Sequence, residues 1–488
     1  MKVLLVEHIK KLWPLFGRGV AQPIHLAYLA AVLEENGIEA DILDCTVQRY
    51  EWADYRKFLK ETSPDIIGVS GLTPFLPYAV ETVRIAKSVN PNVVTVVGGT
   101  HFSLNARQSL IDYPEIDYVV IGEGEITFLE LIKALNDGRD LSKVEGIAFR
   151  DKKEIKITPE RPLIEDLDTL PLPAYHKLPM EKYRFAWFGR GMSMMLSSRG
   201  CTFKCRFCTE RKIWRNRWRG RSARKVVDEM ELLKTKYGIK VIWFGDDCFD
   251  LNRKRNEQFV AELEQRKLGI KWWIEARADT ILRDADLTQR MSRAGLFQVL
   301  LGAESSSEND LKYLNKNISL NQTRKAVALL KKNNITTQVM FIVGLPDETK
   351  MSIRRTIAFA KSIDPDLPVF TPITPFPGTD MYDELASLGL IEETDPLKFN
   401  YLTPVARTHY LSRKQLHREI IRCYVEFYSS PRKIVESLCS RIPYGRKSFI
   451  QVLKTMPALQ FRLHFSGDLS DKPSKQEFSH NKNQGHED

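Results

Sequence analysis

Residues 199–208, Arg199-Gly200-Cys201-Thr202-Phe203-Lys204-Cys205-Arg206-Phe207-Cys208, set three thiols at C-x3-C-x2-C spacing directly after the apolar run 194–198. Such a run reads as a strand, so the thiols fall on the loop that leaves its carboxyl end. The chain has seven cysteines, an odd number with three crowded together, which argues against a disulfide framework and for a metal site. Cys45, Cys248, Cys423 and Cys439 are scattered and read as ordinary thiols. A structural zinc wants four closed ligands, usually in paired C-x2-C elements, and neither a second pair nor a spaced histidine pair follows. A 4Fe-4S cluster takes one thiolate per iron, so Cys201, Cys205 and Cys208 leave one iron without a protein ligand. An open coordination position is the mark of a catalytic metal.

Downstream of this loop, strand and helix patterns alternate to about residue 377. The strands are 194–198, 241–244, 271–276, 298–302, 337–343 and 367–372, and amphipathic helices separate them at 223–237, 254–267, 284–294, 321–333 and 350–363. Six units of this kind predict a partial parallel (β/α)6 barrel. Polar groups collect after its strands: Gly245-Asp246-Asp247 after the second, Arg277 at the end of the third, Glu304-Ser305 after the fourth, and Ile342-Val343-Gly344 with Pro346-Asp347-Glu348 after the fifth. Taken singly each reads equally well as a helix N-cap or a surface ion pair. Their common placement at strand carboxyl ends points to a site.

Upstream, residues 1–135 alternate in the same way, which predicts a doubly wound, Rossmann-like parallel sheet. In such sheets ligands bind beyond the carboxyl ends of the strands, where Ser70-Gly71-Leu72-Thr73, Gly98-Gly99-Thr100-His101 and Gly122-Glu123-Gly124-Glu125 fall. Glycine there lets a bound group approach the backbone closely, although any one loop also reads as a tight turn. The chain therefore divides as α/β: a doubly wound domain 1–140, a proline-rich linker and cap 141–190, a barrel 191–380, a helical region 381–465 and a polar tail 466–488 read as disordered.

Composition narrows the classes. At 488 residues, 43% hydrophobic and 28% charged, the chain reads as several globular domains, with no apolar stretch long enough to span a bilayer. Glu7 interrupts the first apolar run early, so the start reads as a strand rather than a signal peptide, and the expected compartment is the cytoplasm. A net charge of +11 suits an anionic substrate, an anionic membrane surface or nucleic acid without choosing among them. The stretch 433–465 mixes apolar with basic residues and reads either as a helical cap or as a peripheral membrane contact.

The cysteine loop and the strand-end groups resemble the radical S-adenosylmethionine superfamily. The resemblance implies that the open iron seats the methionine moiety of S-adenosylmethionine, whose reductive cleavage gives a 5′-deoxyadenosyl radical. It further implies contacts to that molecule from Phe207, Gly245, Asp246, Asp247, Arg277, Glu304, Ser305, Ile342 and Gly344. A Gly-Asp-Asp stands here where the superfamily has a glycine-glutamate pair. Arg277 suits the methionine carboxylate because a guanidinium holds it bidentately.

A doubly wound domain ahead of such a barrel, with Gln22-Pro23-Ile24-His25-Leu26-Ala27, resembles the cobalamin-binding domain of the superfamily's largest subclass. The resemblance implies that Ser70, Gly71, Leu72, Thr73, Gly98, Gly99, His101, Gly122, Glu123, Gly124 and Glu125 hold cobalamin. No Asp-x-His-x-x-Gly motif is present, so a histidine on cobalt through that motif is not expected. Fold alone leaves a redox or response-regulator-like domain as the alternative.

To about residue 430 the chain is similar to the anaerobic magnesium-protoporphyrin monomethyl ester oxidative cyclase group, through 214–219, 278–284, 341–346 and 398–404. The implied function is radical activation of a C–H bond in a hydrophobic small molecule, as a cyclase-like oxidoreductase or as a carbon methyltransferase. A flavodoxin- or ferredoxin-type electron donor is the implied partner. Two other classes stay open: a non-catalytic corrinoid or iron-sulfur sensor, and a zinc-dependent nucleic-acid binder; the basic and aromatic run 206–225 suits an anionic substrate such as a porphyrin carboxylate and also a single-stranded nucleic acid.

Overall fold

Uninterrupted apolar runs such as Val3-Leu4-Leu5-Val6 and Ile66-Ile67-Gly68-Val69 are buried throughout, as parallel strands covered on both faces must be. The computed structural model describes residues 1–10, 21–185 and 191–429, with 431, 433 and 435. Its first sheet comprises β1 (Val3–Glu7), β2 (Ala40–Asp44), β3 (Ile66–Ser70), β4 (Val94–Gly98), β5 (Tyr118–Val120), β6 (Ile147–Asp151) and β7 (Glu154–Ile157). The order is β2-β1-β3-β4-β5-β6-β7, parallel through β5 and antiparallel beyond it. Helix α1 (Ile24–Glu35) follows β1 and α2 (Gly124–Asp137) follows β5. Because the chain runs outward from β1 on one side to β2 and on the other to β3, a switch point opens between β1 and β3.

The hairpin β6/β7 lies in the stretch read from sequence as linker and cap. Its turn is Lys152-Lys153, with Lys152 at φ 56, and it lacks the Asn-Gly or Asp-Gly pair that normally signals a hairpin. Farther along the same stretch, Tyr175 donates to Glu229 on the helix Ala223–Tyr237 at 2.5 Å and Tyr183 to Asp44 at the end of β2 at 2.9 Å, so it ties the first sheet to that helix.

The second sheet is all parallel: β8 (Met192–Met195), β9 (Val241–Phe244), β10 (Lys271–Ala276), β11 (Leu296–Glu304), β12 (Thr336–Val343) and β13 (Leu367–Pro372). Each strand pairs with its chain neighbour and β8 does not meet β13, which leaves an open six-stranded barrel. Period-two alternation sorts its faces: Trp272 and Ile274 are fully buried, with Trp272 packed on Phe244, Phe249 and Phe259 at 5.3–6.0 Å, while Trp273 and Glu275 point the other way. Capping boxes fix the helix starts Ser319–Gln322 and Thr349–Ser352. Helix α3 (Arg413–Tyr428) packs beside β13, where Tyr424 bonds the Phe370 backbone. No described helix is long and apolar enough to cross a membrane. Apart from Lys433 and Val435, the stretch 433–465 and the tail 466–488 lie outside the described residues.

Candidate active site

The cysteine loop leaves β8 and is held from both sides. Ser198–Arg199 forms a two-residue antiparallel ladder with Arg219–Gly220. Asp246, just past β9, accepts from the Ser197 amide at 2.7 Å and from the Ser198 hydroxyl at 2.6 Å, and Asp247 accepts from the Gly200 amide at 2.9 Å. Gly200 is obligatory at φ +86, where an added Cβ would meet the Arg217 carbonyl at 2.0 Å. Cys201, Cys205 and Cys208 are all free thiols. Cys248 adjoins Cys201 and draws its thiol down, against the opposing effect of burial, while burial pushes Cys205 and Cys208 up. Three unpaired thiols on one pinned loop, with cationic Arg277 and Lys316 near Cys201 and Cys205, form a donor set that fits an iron-sulfur cluster better than a closed zinc site. Among the described residues no three His, Cys, Asp or Glu side chains gather as ligands of a single ion.

The other strand-end groups divide into two kinds. Asp246 is turned into the strand hydrogen bonds just described, so it positions the cysteine loop. Arg277 lies 3.5 Å over the Phe203 ring and donates to Asp279 at 3.0 and 3.2 Å and to the Lys316 carbonyl at 2.7 Å. Its Nη1 has no hydrogen-bond partner among the described residues. Glu304, at φ 62, pairs with buried Lys316 at 2.7 Å. Ser305 donates to Asp310 at 2.7 Å, and Ile342 packs in a small apolar cluster against Phe207. Gly344, at φ +101, donates its amide to Glu348, whose carboxyl burial pushes up to about 7.

At the carboxyl edge of the first sheet a cavity of about 350 Å³ opens over the switch point. Of the residues named from the sequence, Ser70, Leu72, Gly98, Gly99, Gly122, Glu123, Gly124 and Glu125 line it. Gly71, Thr73 and His101 do not: Gly71 backs onto Phe102, and Thr73 and His101 hydrogen-bond each other at 3.0 Å. A ligand can approach backbone here, because Gly122, at φ +78, has nothing within 4 Å of where a Cβ would stand. A polar end missed from the sequence adds Glu7, His8, Lys10 and His25. Burial favours a neutral Glu7, but Lys10, His25 and His8 outweigh it and hold the carboxyl down at about 2; burial keeps His8 neutral, near 4.

The same cavity is lined by Leu196, Ser198, Arg199, Ile213, Trp214, Gly245 and Asp247 from the barrel side. The two strand edges thus face one another across a shared space. Deeper in the barrel, Trp243 and Trp273 stack at 5.0 Å and 8°. Glu275 has no hydrogen-bond partner among the described residues, and burial first, then Asp246 and Glu210, push its carboxyl up to about 7. Burial also raises Glu210, and burial followed by Glu210 raises Asp247; Tyr401 lies near Glu210, Glu275 and Cys208. Period two from Arg277 identifies Glu275 as its neighbour on the same face of β10, and Cys248 stands one residue past Asp247; both signals were present in the sequence.

Comparison with known proteins agrees with this layout. Residues 18–132 match the family described as the B12 binding domain and residues 195–360 the radical SAM superfamily. The chain is 34% identical over 416 residues, 85% of its own length and 90% of the relative's, to an uncharacterized methyltransferase of Pyrococcus horikoshii. It is 35% identical over 411 residues, 83% of its length and 73% of the relative's, to the anaerobic magnesium-protoporphyrin IX monomethyl ester cyclase of Rubrivivax gelatinosus. In fold it is similar to the radical S-adenosylmethionine methyltransferase TsrM of Kitasatospora setae, solved with cobalamin and a [4Fe-4S] cluster. That match has a TM-score of 0.71 and 19% identity and covers 94% of this chain and 100% of that one.

Proposed function

The chain belongs to the cobalamin-binding radical S-adenosylmethionine enzymes, and from that premise we propose that it activates a C–H bond of a hydrophobic small molecule in the space between its two sheets. Family members are enzymes that use a 4Fe-4S cluster, S-adenosylmethionine and cobalamin; when bound, these supply reductive cleavage of the sulfonium and a corrinoid redox or methyl-carrying partner. The observation that carries the proposal is the single cavity lined both by the glycine loops of the first sheet and by the start of the cysteine loop with Gly245 and Asp247.

In this reading Cys201, Cys205 and Cys208 would hold the cluster, and the cavity-lining Gly98, Gly99, Gly122 and Gly124 would let the corrinoid approach backbone. Arg277, with Nη1 unoccupied, would be the residue to hold the methionine carboxylate, while Lys316 and Glu304 stay paired and keep the local charge balanced. The stacked Trp243 and Trp273 offer an aromatic surface suited to a hydrophobic substrate, with two buried indole N–H donors unpartnered among the described residues, and enclosure between the sheets excludes water from reactive species. Glu275, raised to about 7, keeps its proton to near neutrality and so offers the substrate an O–H donor rather than a repelling anion.

Cyclase-like oxidation stands first, on 35% identity to the cyclase over 83% of the chain. Carbon methylation stands beside it, because the relative matched over 90% of its own length carries a methyltransferase name. The two separate in one assay. Incubating reconstituted protein anaerobically with reductant, S-adenosylmethionine and a tetrapyrrole or lipid acceptor gives S-adenosylhomocysteine alongside 5′-deoxyadenosine if a methyl group is transferred. Oxidation yields 5′-deoxyadenosine without it. A flavodoxin- or ferredoxin-type protein is proposed as the physiological reductant, tested by replacing the chemical reductant in the same assay.

A further inference from the structure

We propose that Arg199 is a positioning residue that couples the two cofactor sites: through Glu123 and Glu125 it ties the loop 122–125 to the cysteine loop, so that filling either site strengthens binding at the other. The inference rests on the reading that these loops hold cobalamin and the cluster.

Arg199 stands two residues before Cys201 and is anchored in the short ladder with Arg219–Gly220. Its Nη1 donates to Glu123 at 2.8 Å and its Nη2 to Glu125 at 2.5 Å. The second Glu123 oxygen accepts from Arg219 Nη1 at 2.8 Å and from the Ile164 amide at 2.8 Å. All four charged residues are at most 8% exposed. Two guanidiniums and two carboxylates balance in charge, and the Arg199 guanidinium also sits 5.4 Å from the Tyr28 ring on α1. Burial opposes ionisation of Glu125, yet Arg199 outweighs it and holds the carboxyl below its usual range, so the pair is charged at neutral pH.

A buried ion network of this size adds little net stability over an apolar replacement. What it adds is direction, because a fork bonded to two carboxylates fixes both their separation and their angle. Here those carboxylates follow Gly122 in the cavity wall, and Arg199 lines the same wall. A group seated against residues 122–125 therefore orders Glu123 and Glu125, they order Arg199, and Arg199 fixes the entry to Cys201. Asp247, bonded to the Gly200 amide, holds that entry from the barrel side. Arg219 also donates Nη1 to the Ile164 carbonyl at 2.6 Å, but keeps Nε and Nη2 buried without a partner among the described residues, so Glu123 is the one carboxylate that balances its charge within this network. Coupling of this kind is reciprocal by thermodynamic necessity.

The test is the affinity for hydroxocobalamin, titrated anaerobically into the full chain with the cluster rebuilt and again into the iron-free chain. The expected result is a Kd at least about fivefold lower with the cluster present. Arg199→Lys keeps the charge and loses the fork, and should bring the two values together while each site still fills. In parallel, cobalamin reduced alongside the cluster to its Co(II) form should shift the electron paramagnetic resonance of the reduced cluster in the wild type and not in the Lys variant. Equal wild-type Kd values with and without the cluster would overturn the proposal without recourse to any variant, as would an undiminished ratio in Arg199→Lys. A chain that takes up no cobalamin or no iron would overturn the underlying reading as well, and separate corrinoid and iron analyses tell these failures apart.

Discussion

Asp247 and Gly200 are joined by a 2.9 Å hydrogen bond in which the carboxylate accepts the amide N–H immediately before Cys201. The bond fastens the first thiol to the end of β9, and it exists because Gly200 reaches φ +86 under the Arg217 carbonyl. A side chain at Gly200 meets both a left-handed backbone and a 2.0 Å clash. Gly200→Ala therefore strains the loop by about 1–3 kcal/mol from backbone conformation alone, and the clash adds to it. The expected outcome is loss of most bound iron and sulfide after reconstitution, with far-ultraviolet circular dichroism unchanged.

Gly99 does the corresponding work at the first sheet. At φ +88 its Cβ would fall 2.6 Å from the Ser70 hydroxyl. Gly99→Ala should weaken hydroxocobalamin binding by roughly tenfold or more, on the same 1–3 kcal/mol of backbone strain, and leave iron content near the wild-type value. Loss of both together would mean that the variant misfolds, which circular dichroism reports.

Much of this arrangement is legible in the sequence, and the misses have physical reasons. Unbroken apolar runs and their spacing predict both parallel sheets, and C-x3-C-x2-C predicts the cysteine loop. The β6/β7 hairpin escapes because Lys152 takes φ 56 without a glycine. Gly71, Thr73 and His101 lie in the same loops as the cavity lining, yet neighbours within the first sheet's own layer take up their contacts, which no local pattern reveals. Asp246 lies in the expected strand-end motif, but its role is set by Ser197 and Ser198, nearly fifty positions away. Lys316 joins the site only through tertiary packing.

Lys316 and Glu304 form a buried pair at 2.7 Å, with side chains 9% and 8% exposed. Lys316→Met leaves Glu304 as an uncompensated buried carboxylate and should cost about 3–5 kcal/mol of stability. Adding Glu304→Gln should recover most of that loss, since no charge is then stranded. Urea unfolding of the single and double variants measures both values.

Glu275 gives a pH signature. Its folded carboxyl is raised to about 7 from an ordinary 4.5, so the unfolded chain releases this proton first. The protein accordingly loses stability as pH rises from about 4.5 through about 7, with no further loss from this group above that window. The loss is on the order of 3 kcal/mol at about 1.4 kcal/mol per unit. Glu275→Gln should flatten that part of the stability profile. Chemical denaturation of wild type and variant across the window checks the sign and the size.

The central claim is reductive use of S-adenosylmethionine by a cluster on Cys201, Cys205 and Cys208 in a chain that also holds cobalamin. The most direct measurement is mass-spectrometric detection of 5′-deoxyadenosine from anaerobically reconstituted, reduced protein given S-adenosylmethionine, with corrinoid content read in the same sample. The account predicts 5′-deoxyadenosine with retained cobalamin in the wild type, and none from Cys205→Ala, which should also lose its cluster. Equal 5′-deoxyadenosine from wild type and Cys205→Ala, or none from wild type with a full complement of iron and cobalamin, would contradict it.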